Sequence, residues 1–250
     1  NTTDVIIIQK KTTFERYAEE CDKLNTEENN EQSEYAPPAL QLSHDEHCKS
    51  RDLLLKFLTK RNLSFQLFTL DDLKNQKIPF FSADNPESTL APKQKLVISL
   101  GGDGTLLHAS HHIGNQTSLV GINSNPQSSV GHMCHILPDN MNEKLEQILS
   151  GSVKPQRMRR LKVDLSSQRF LPLALNDILI CHKHPAASSR LFIGTKNLEN
   201  NHSEPKHKVV SSGIWISSPA GQTAAISSYH FERKDAESSS VFVAIRELYH

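Results

Sequence analysis

Three short stretches put polar or glycine-rich chemistry into apolar surroundings. The first is "KLVISLGGDGTLLHASHH", residues 95–112. A run of β-branched and leucine residues leads into Gly101-Gly102-Asp103-Gly104-Thr105, and a helix is expected over 103–114. Glycines let backbone approach a ligand closely. The N-terminus of the next helix offers unpaired N–H groups and a positive dipole end, which suits phosphate. A carboxylate there repels the same anion. Asp103 is therefore either a helix cap, a common role for aspartate, or a group with another task. The pattern is neither a Walker loop, since no Gly-Lys-Ser/Thr follows, nor the dinucleotide GxGxxG. The second stretch is "LALNDILI", residues 173–180. Asn176 and Asp177 interrupt an apolar strand pattern without Gly or Pro, and polar groups in such a place need partners. The alternative makes both of them turn residues. The third is "SSGIWISSPAGQTAAIS", residues 211–227, where Pro219 suits the first turn of a helix and small residues follow.

Two histidine groups invite a metal reading. His108, His111 and His112 have ligand spacing on a helix, and His44, His47 and Cys48 cluster similarly. No convergent Cys or carboxylate accompanies the first set, and the second is treated alike, so no metal is assigned. "QRMRRLK" is the densest basic cluster, and strand alternation would put Arg157 and Arg159 on one face and Arg160 and Lys162 on the other. One face reaching nucleotide phosphates and a merely solvated face remain equal alternatives.

The elements that must position these residues follow from periodicity. Val5–Ile8 reads as a buried parallel strand, and "TTFERYAEECDKL" as a helix. "NTEENNEQSEYAPP" reads as a polar loop. A helix with Ser43 as N-cap follows, then the strand "LSFQLFTL". "NQKIPFFSADNPESTLAPKQ" is mostly loop. "KLVISL" and "SLVGIN" are further buried strands, and "NMNEKLEQILSG" is an amphipathic helix stopped by Gly151. Strands and helices alternate up to here, which argues an α/β domain with a parallel sheet over 1–150. From 151 to 250, "QRMRRLKVDLSSQ", "FLPLALNDILICHK", "SRLFIGTK" and "HKVVSSGIWISS" are successive strand-like runs, so a second, mainly β domain is expected.

Charge and cysteine usage narrow the setting. The 250 residues carry 28 Lys+Arg and 28 Asp+Glu, which argues against binding nucleic acid or a membrane surface, since both need basic excess. A local basic pocket remains open. Four cysteines without CxxC spacing fit a reducing compartment, cytoplasm or mitochondrial matrix alike. No apolar run approaches a membrane span. The chain begins at Asn1 rather than methionine, so an absent targeting segment carries little weight.

Together the motifs identify a family. "GGDGT" after a buried strand resembles the loop of a kinase superfamily that includes NAD kinases, diacylglycerol and sphingosine kinases and, more distantly, phosphofructokinases. "LALNDILI" resembles the Asn-Glu/Asp signature of NAD kinases, and the 211–227 stretch resembles their "TPTGSTAY" segment. "GINSNPQSSVGHMC", residues 121–134, resembles their Gly-Ile-Asn turn and looks closer to the mitochondrial-type branch. The resemblance covers nearly the whole chain. It implies a Rossmann-like α/β domain with the GGDGT loop and a β-sandwich-like NAD-binding domain. It implies ATP- and Mg²⁺-dependent phosphorylation of the 2′-hydroxyl of the adenosine ribose of NAD, giving NADP. A hydroxyl nucleophile loses its proton as it attacks, and a carboxylate within hydrogen-bond reach can take it. By resemblance Asp103 is that base.

The remaining implied site follows the motifs. Gly102, Gly104 and Thr105 lie beside the nucleotide, and His108, often basic in the family, meets a phosphate from the turn facing Gly104. Asn176 and Asp177 take ribose hydroxyls. Gly221, Thr223 and Ala224 leave room for an adenine ring or ribose. The family's aspartate before "GLIVSTP" is Ser212 here, its serine of "GST" is Gln222, and its aromatic after Thr-Ala is Ala225. These departures keep a catalytically weak NAD- or nucleotide-binding protein in view. A lipid kinase of the diacylglycerol type shares GGDGT but should lack the other two motifs. The chain ends where family members continue, so an incomplete second domain or a cut chain is expected. The family also implies a homo-oligomer, dimer or tetramer, and ATP or polyphosphate as donor.

Overall fold

The computed structural model describes residues 4–27, 36–74, 96–114, 117–165, 171–184, 186–196 and 200–249. The chain divides into two compact units, Asn1–Pro155 and Gln156–His250.

The first unit is built on four parallel strands, β1 (Val5–Gln9), β2 (Phe65–Thr69), β3 (Leu96–Gly101) and β4 (Ser118–Asn123), in the order β2-β1-β3-β4. The near-continuous apolar sequences of β1 and β3 reflect burial on both faces, whereas the edge strand β2 is partly exposed. Val5, Ile7, Ile98, Leu100 and Ile122 pack with Leu54, Phe57 and Leu58 of α2 (Pro38–Lys60) and Met141 and Leu145 of α5 (Met141–Leu149). Ile6, Ile8 and Val97 pack on the other face with Leu73 of α3 (Leu70–Lys74) and Ala109 of α4 (Asp103–Ser110). From β1 the chain first moves outward to β2, then returns past β1 to β3 and β4. The loops after β1 and β3 therefore leave toward opposite faces. That divergence is the topological switch point where open α/β sheets bind ligands.

Several helix ends differ from expectation. α1 (Thr13–Glu27) runs into the stretch read as an acidic loop. Thr12 and Glu15 form its capping box: the Thr12 N–H donates to Glu15 Oε2 at 2.6 Å, and the Glu15 N–H donates to Thr12 Oγ1 at 3.2 Å. α2 starts at Pro38, not after Ser43, because proline at the first turn has no N–H to satisfy. Ser43 lies within the helix, and its Oγ accepts the Asn125 Nδ2–H at 2.9 Å. α4 stops at Ser110 rather than 114. The Ser110 hydroxyl donates back to the Leu107 carbonyl at 2.6 Å, and the backbone tightens into i→i+3 bonds at His111 and His112. α5 ends as expected at Gly151, whose φ of +74° lies in the left-handed region that favours glycine. The proline-rich loop over 75–94 lies outside the described residues.

The second unit is an antiparallel sheet centred on β7 (His207–Ser217). β8 (Phe242–Leu248) runs along one edge. β5 (Asp177–Ile180) and β6 (Ser189–Ile193) share the other. Over residues 156–165 of "QRMRRLKVDLSSQ" no strand forms, and within that range only Leu161 bridges, to Ala174. The expected alternation of Arg157 and Arg159 against Arg160 and Lys162 therefore has no sheet to act on. The α/β plus all-β reading of the chain stands. Among the described residues no helix is long and apolar enough to cross a membrane.

Candidate functional site

The residues singled out in the sequence fall into two groups, one in each unit. In the first unit, β3 delivers the glycine turn to the switch point. The ends of three strands are tied there: the Lys10 N–H donates to the Leu100 carbonyl at 3.0 Å and the Ser124 N–H to the Gly101 carbonyl at 3.1 Å. Each glycine has its own reason. A Cβ on Gly101 would overlap the Thr105 side chain, and one on Gly102 would lie 2.6 Å from Ser129 Oγ. A Cβ on Gly104 would meet nothing within 4 Å, so the space above that residue is open.

Gly102 is the N-cap of α4, with no side-chain cap, and Asp103 is its first residue. The aspartate does not cap its own helix. Its Oδ2 accepts the His132 N–H and its Oδ1 accepts the Met133 N–H, both at 2.8 Å. Each oxygen keeps further lone-pair capacity. Cys134, buried beside them, has its thiol pushed up to about 12 by burial first, then by the Asp103 charge and a hydrogen bond to it. Thr105 is buried against Gly101 and serves the turn. His108, half-buried on the last turn of α4, stacks on His112 with centroids 5.4 Å apart, and its Nδ1 has no partner among the described residues. Burial, then the neighbouring His108, lowers the His112 pKa. Among the described residues no three His, Cys, Asp or Glu side chains are placed to hold a metal.

Two residues of this region were not singled out as site candidates. Lys10 is half-buried just beyond β1, and burial lowers its pKa while Glu15 opposes. A lysine directly after the apolar "VIIIQ" was the available signal. His47 had been weighed only as a metal ligand. It is 2% exposed, and its Nδ1 shares a 2.8 Å hydrogen bond with Ser124 Oγ. Burial drives its pKa down to about 4. Ser50 donates to the Ser124 carbonyl at 2.9 Å, so α2 grips the end of β4 through both residues.

In the second unit, Asn176 and Asp177 straddle the start of a strand. Asn176 lies in the bend before β5, and Asp177 opens that strand opposite Ser217. β5 is short because the chain needs the bend to meet Ser217 and Ser218. The Asn176 carbonyl accepts the Ser218 N–H at 2.9 Å and the Ser217 hydroxyl at 3.2 Å. Asn176 Oδ1 is buried without a partner among the described residues. Burial raises the Asp177 pKa, opposed by the Ala225 N–H that it accepts.

Gly221 sits in a 3-10 turn, Pro219–Thr223, packed directly on Asn176. A Cβ there would overlap Asn176 O and Ser217 Oγ and lie 2.7 Å from Asn176 Oδ1. Its missing side chain makes room for Asn176 rather than for a ring. Ala224 joins this turn to the next, Ala225–Tyr229, and Thr223 is exposed. Asn176, Asp177, Gly221 and Ala224 thus come together. The departures have local roles as well: Gln222 straps the turn to Lys234, accepting its N–H at 2.6 Å, and the Ser212 hydroxyl lies 3.3 Å from Tyr249 OH.

A carboxylate held by two amides beside a glycine turn can accept a proton from a hydroxyl placed over Gly104. A buried amide oxygen next to a half-buried carboxylate can receive the hydroxyls of a sugar. The chain is similar to known proteins. The chain is 36% identical over 148 residues to a probable NADH kinase of Oryza sativa, covering 52% of this chain and 45% of that protein. It is 34% identical over 203 residues to an NADH kinase of Arabidopsis thaliana, covering 74% and 60%. The chain thus spans about half the length of these relatives. No family model matches it. Its fold is similar to that of an NAD kinase from Archaeoglobus fulgidus in complex with ATP, with a TM-score of 0.58 at 16% identity, covering 98% of this chain and 73% of that one. The order of the three motifs, the two relatives and the shared fold agree: the chain belongs to the NAD kinase family.

Proposed function

We propose that this chain carries NAD kinase activity, transferring the γ-phosphoryl group of ATP to the adenosine 2′-hydroxyl of NAD or NADH. The observation that carries the reading is Asp103, whose two oxygens are held by the His132 and Met133 amides at 2.8 Å beside the open face of Gly104. In the reaction a bond forms between the 2′-oxygen and the γ-phosphorus. The bond from that phosphorus to the β,γ-bridging oxygen breaks, ADP leaves, and the 2′-hydroxyl proton passes to Asp103. Little covalent work falls to the protein, so placement and neutralisation of charge dominate. Gly102, Gly104 and the N-terminus of α4 suit phosphate oxygens, while Lys10 and His108 supply donors nearby. Mg²⁺ arrives as part of the donor, bound by phosphate oxygens and water, consistent with its preference for hard oxygen ligands. Asn176 and Asp177 take the ribose, and the 156–250 unit is the NAD-binding part.

Both plant relatives are named NADH kinases, which supports testing the reduced nucleotide beside NAD. The decisive assay supplies MgATP with NAD or NADH and reads the product with an NADP-specific dehydrogenase. Turnover that Asp103→Asn abolishes is the expected result. A folded protein that NAD stabilises but that makes no NADP would leave only a nucleotide-binding role. Polyphosphate in place of ATP tests the donor. As in the family, we expect a homo-oligomer, readable by sedimentation, in the cytoplasm or mitochondrial matrix.

A further inference from the structure

We propose that Asn123 is a positioning residue for Asp103, acting through the loop that follows β4; the proposal rests on Asp103 being the base. Asn123 ends β4 opposite Gly101 and is 1% exposed. Its amide closes the loop from both sides. Nδ2 donates to the Ser129 carbonyl at 2.9 Å, and Oδ1 accepts the Asn125 N–H at 3.2 Å. Asn125 is also tied to Ser43, and the Ser128 N–H to the Asn125 carbonyl at 3.2 Å, but residues 126–128 are exposed and Val130 is 81% exposed.

Gly131 then turns the chain with a φ of +69°, a left-handed conformation that glycine adopts without strain. It lies flat on the Asn123 amide. A Cβ at 131 would overlap Nδ2 and sit 3.2 Å from Cγ. The next two residues, His132 and Met133, are the ones whose N–H groups hold the two Asp103 oxygens. The same loop touches the glycine turn itself, where Gly102 leaves no room for a side chain against Ser129. Asn123 therefore sets the loop, the loop aims two amides, and the amides fix the carboxylate. A base must sit within about 0.5 Å of its productive position, so a residue three contacts away can govern rate without touching substrate.

Two kinds of measurement test this. In the kinase assay, Asn123→Ala should lower kcat about 10- to 100-fold while KM for MgATP and for NAD stays within about twofold. Gly131→Ala should give the same split. Independently of turnover, amide exchange at His132 and Met133 should rise at least about tenfold in Asn123→Ala, with core amides of β1 and β3 unchanged. Raised KM at unchanged kcat would overturn the positioning role. So would unchanged exchange at His132 and Met133. If wild-type protein makes no NADP, the proposed activity fails, and the exchange data still decide whether Asn123 orders the loop.

Discussion

In the proposed reaction, much turns on what each glycine near Asp103 makes room for. Gly101 and Gly102 are filled by the protein itself, by Thr105 and by Ser129. Gly104 is not. That contrast yields a separation of effects. Alanine at 104 meets nothing within 4 Å and stands in the first turn of α4, so Gly104→Ala should leave stability unchanged or raise it by up to about 0.5 kcal/mol. If substrate occupies the open face, the same methyl should cut kcat/KM at least about tenfold. Thermal melts and initial rates on one preparation check both halves. A variant with wild-type rates would remove the substrate from that face. The motif containing Asp103 was legible in the sequence, but its partners were not. They are backbone N–H groups, which every residue but proline carries and which leave no mark on composition.

At the scale of elements, β1 and β3 are legible almost residue for residue because two-sided burial demands unbroken apolar runs, while the edge strand β2 shows itself by alternation. Misreadings arose where a polar side chain decided the boundary. Ser110 ended α4 early, and Asn176 took the bend before β5 although nothing nearby signalled a turn. The contact of α2 with β4 was equally hidden. Its key group, His47, is buried and bonded to Ser124, with a pKa of about 4 against an ordinary 6.5. This makes a pH prediction with a definite sign. Between pH 6.5 and 4 the unfolded chain binds a proton at residue 47 that the folded chain refuses. Stability from this group is complete above pH 6.5 and is lost as pH falls through 4. Between pH 7 and 4.5 the loss amounts to roughly 2 kcal/mol. Urea unfolding at the two pH values should show it, and His47→Gln should remove that share of the pH dependence. An equal slope in the variant would place the acid sensitivity elsewhere.

For the whole molecule, the two units carry residues suited to different tasks. Asp103, with its held carboxylate beside an open glycine, suits the chemical step. Asp177, half-buried with its pKa raised by burial and opposed by one N–H, suits recognition of a hydroxylated ligand. The sequence changes from alternating helices and strands to strands alone near residue 150, and the compact units divide at Pro155. The basic run "QRMRRLK" misled at this level, because a charge pattern cannot say whether a strand has a neighbour. The division predicts opposite kinetic signatures for two like-sized changes. Asp103→Asn should abolish turnover and leave the rise in melting temperature with added NAD nearly intact. Asp177→Asn removes a charge that accepts hydroxyl protons, and should weaken NAD binding by about 1.5–3 kcal/mol, roughly 10- to 100-fold, the range for hydrogen bonds to charged groups. Its kcat at saturating NAD should fall far less than its kcat/KM, since a contact made equally in ground and transition states changes KM alone. Melting curves across an NAD titration, set beside full rate curves, measure both variants on the same axes. If Asp177→Asn lost kcat and kcat/KM together while still binding NAD, the second unit would be acting in the chemical step, and the separation of tasks would fall.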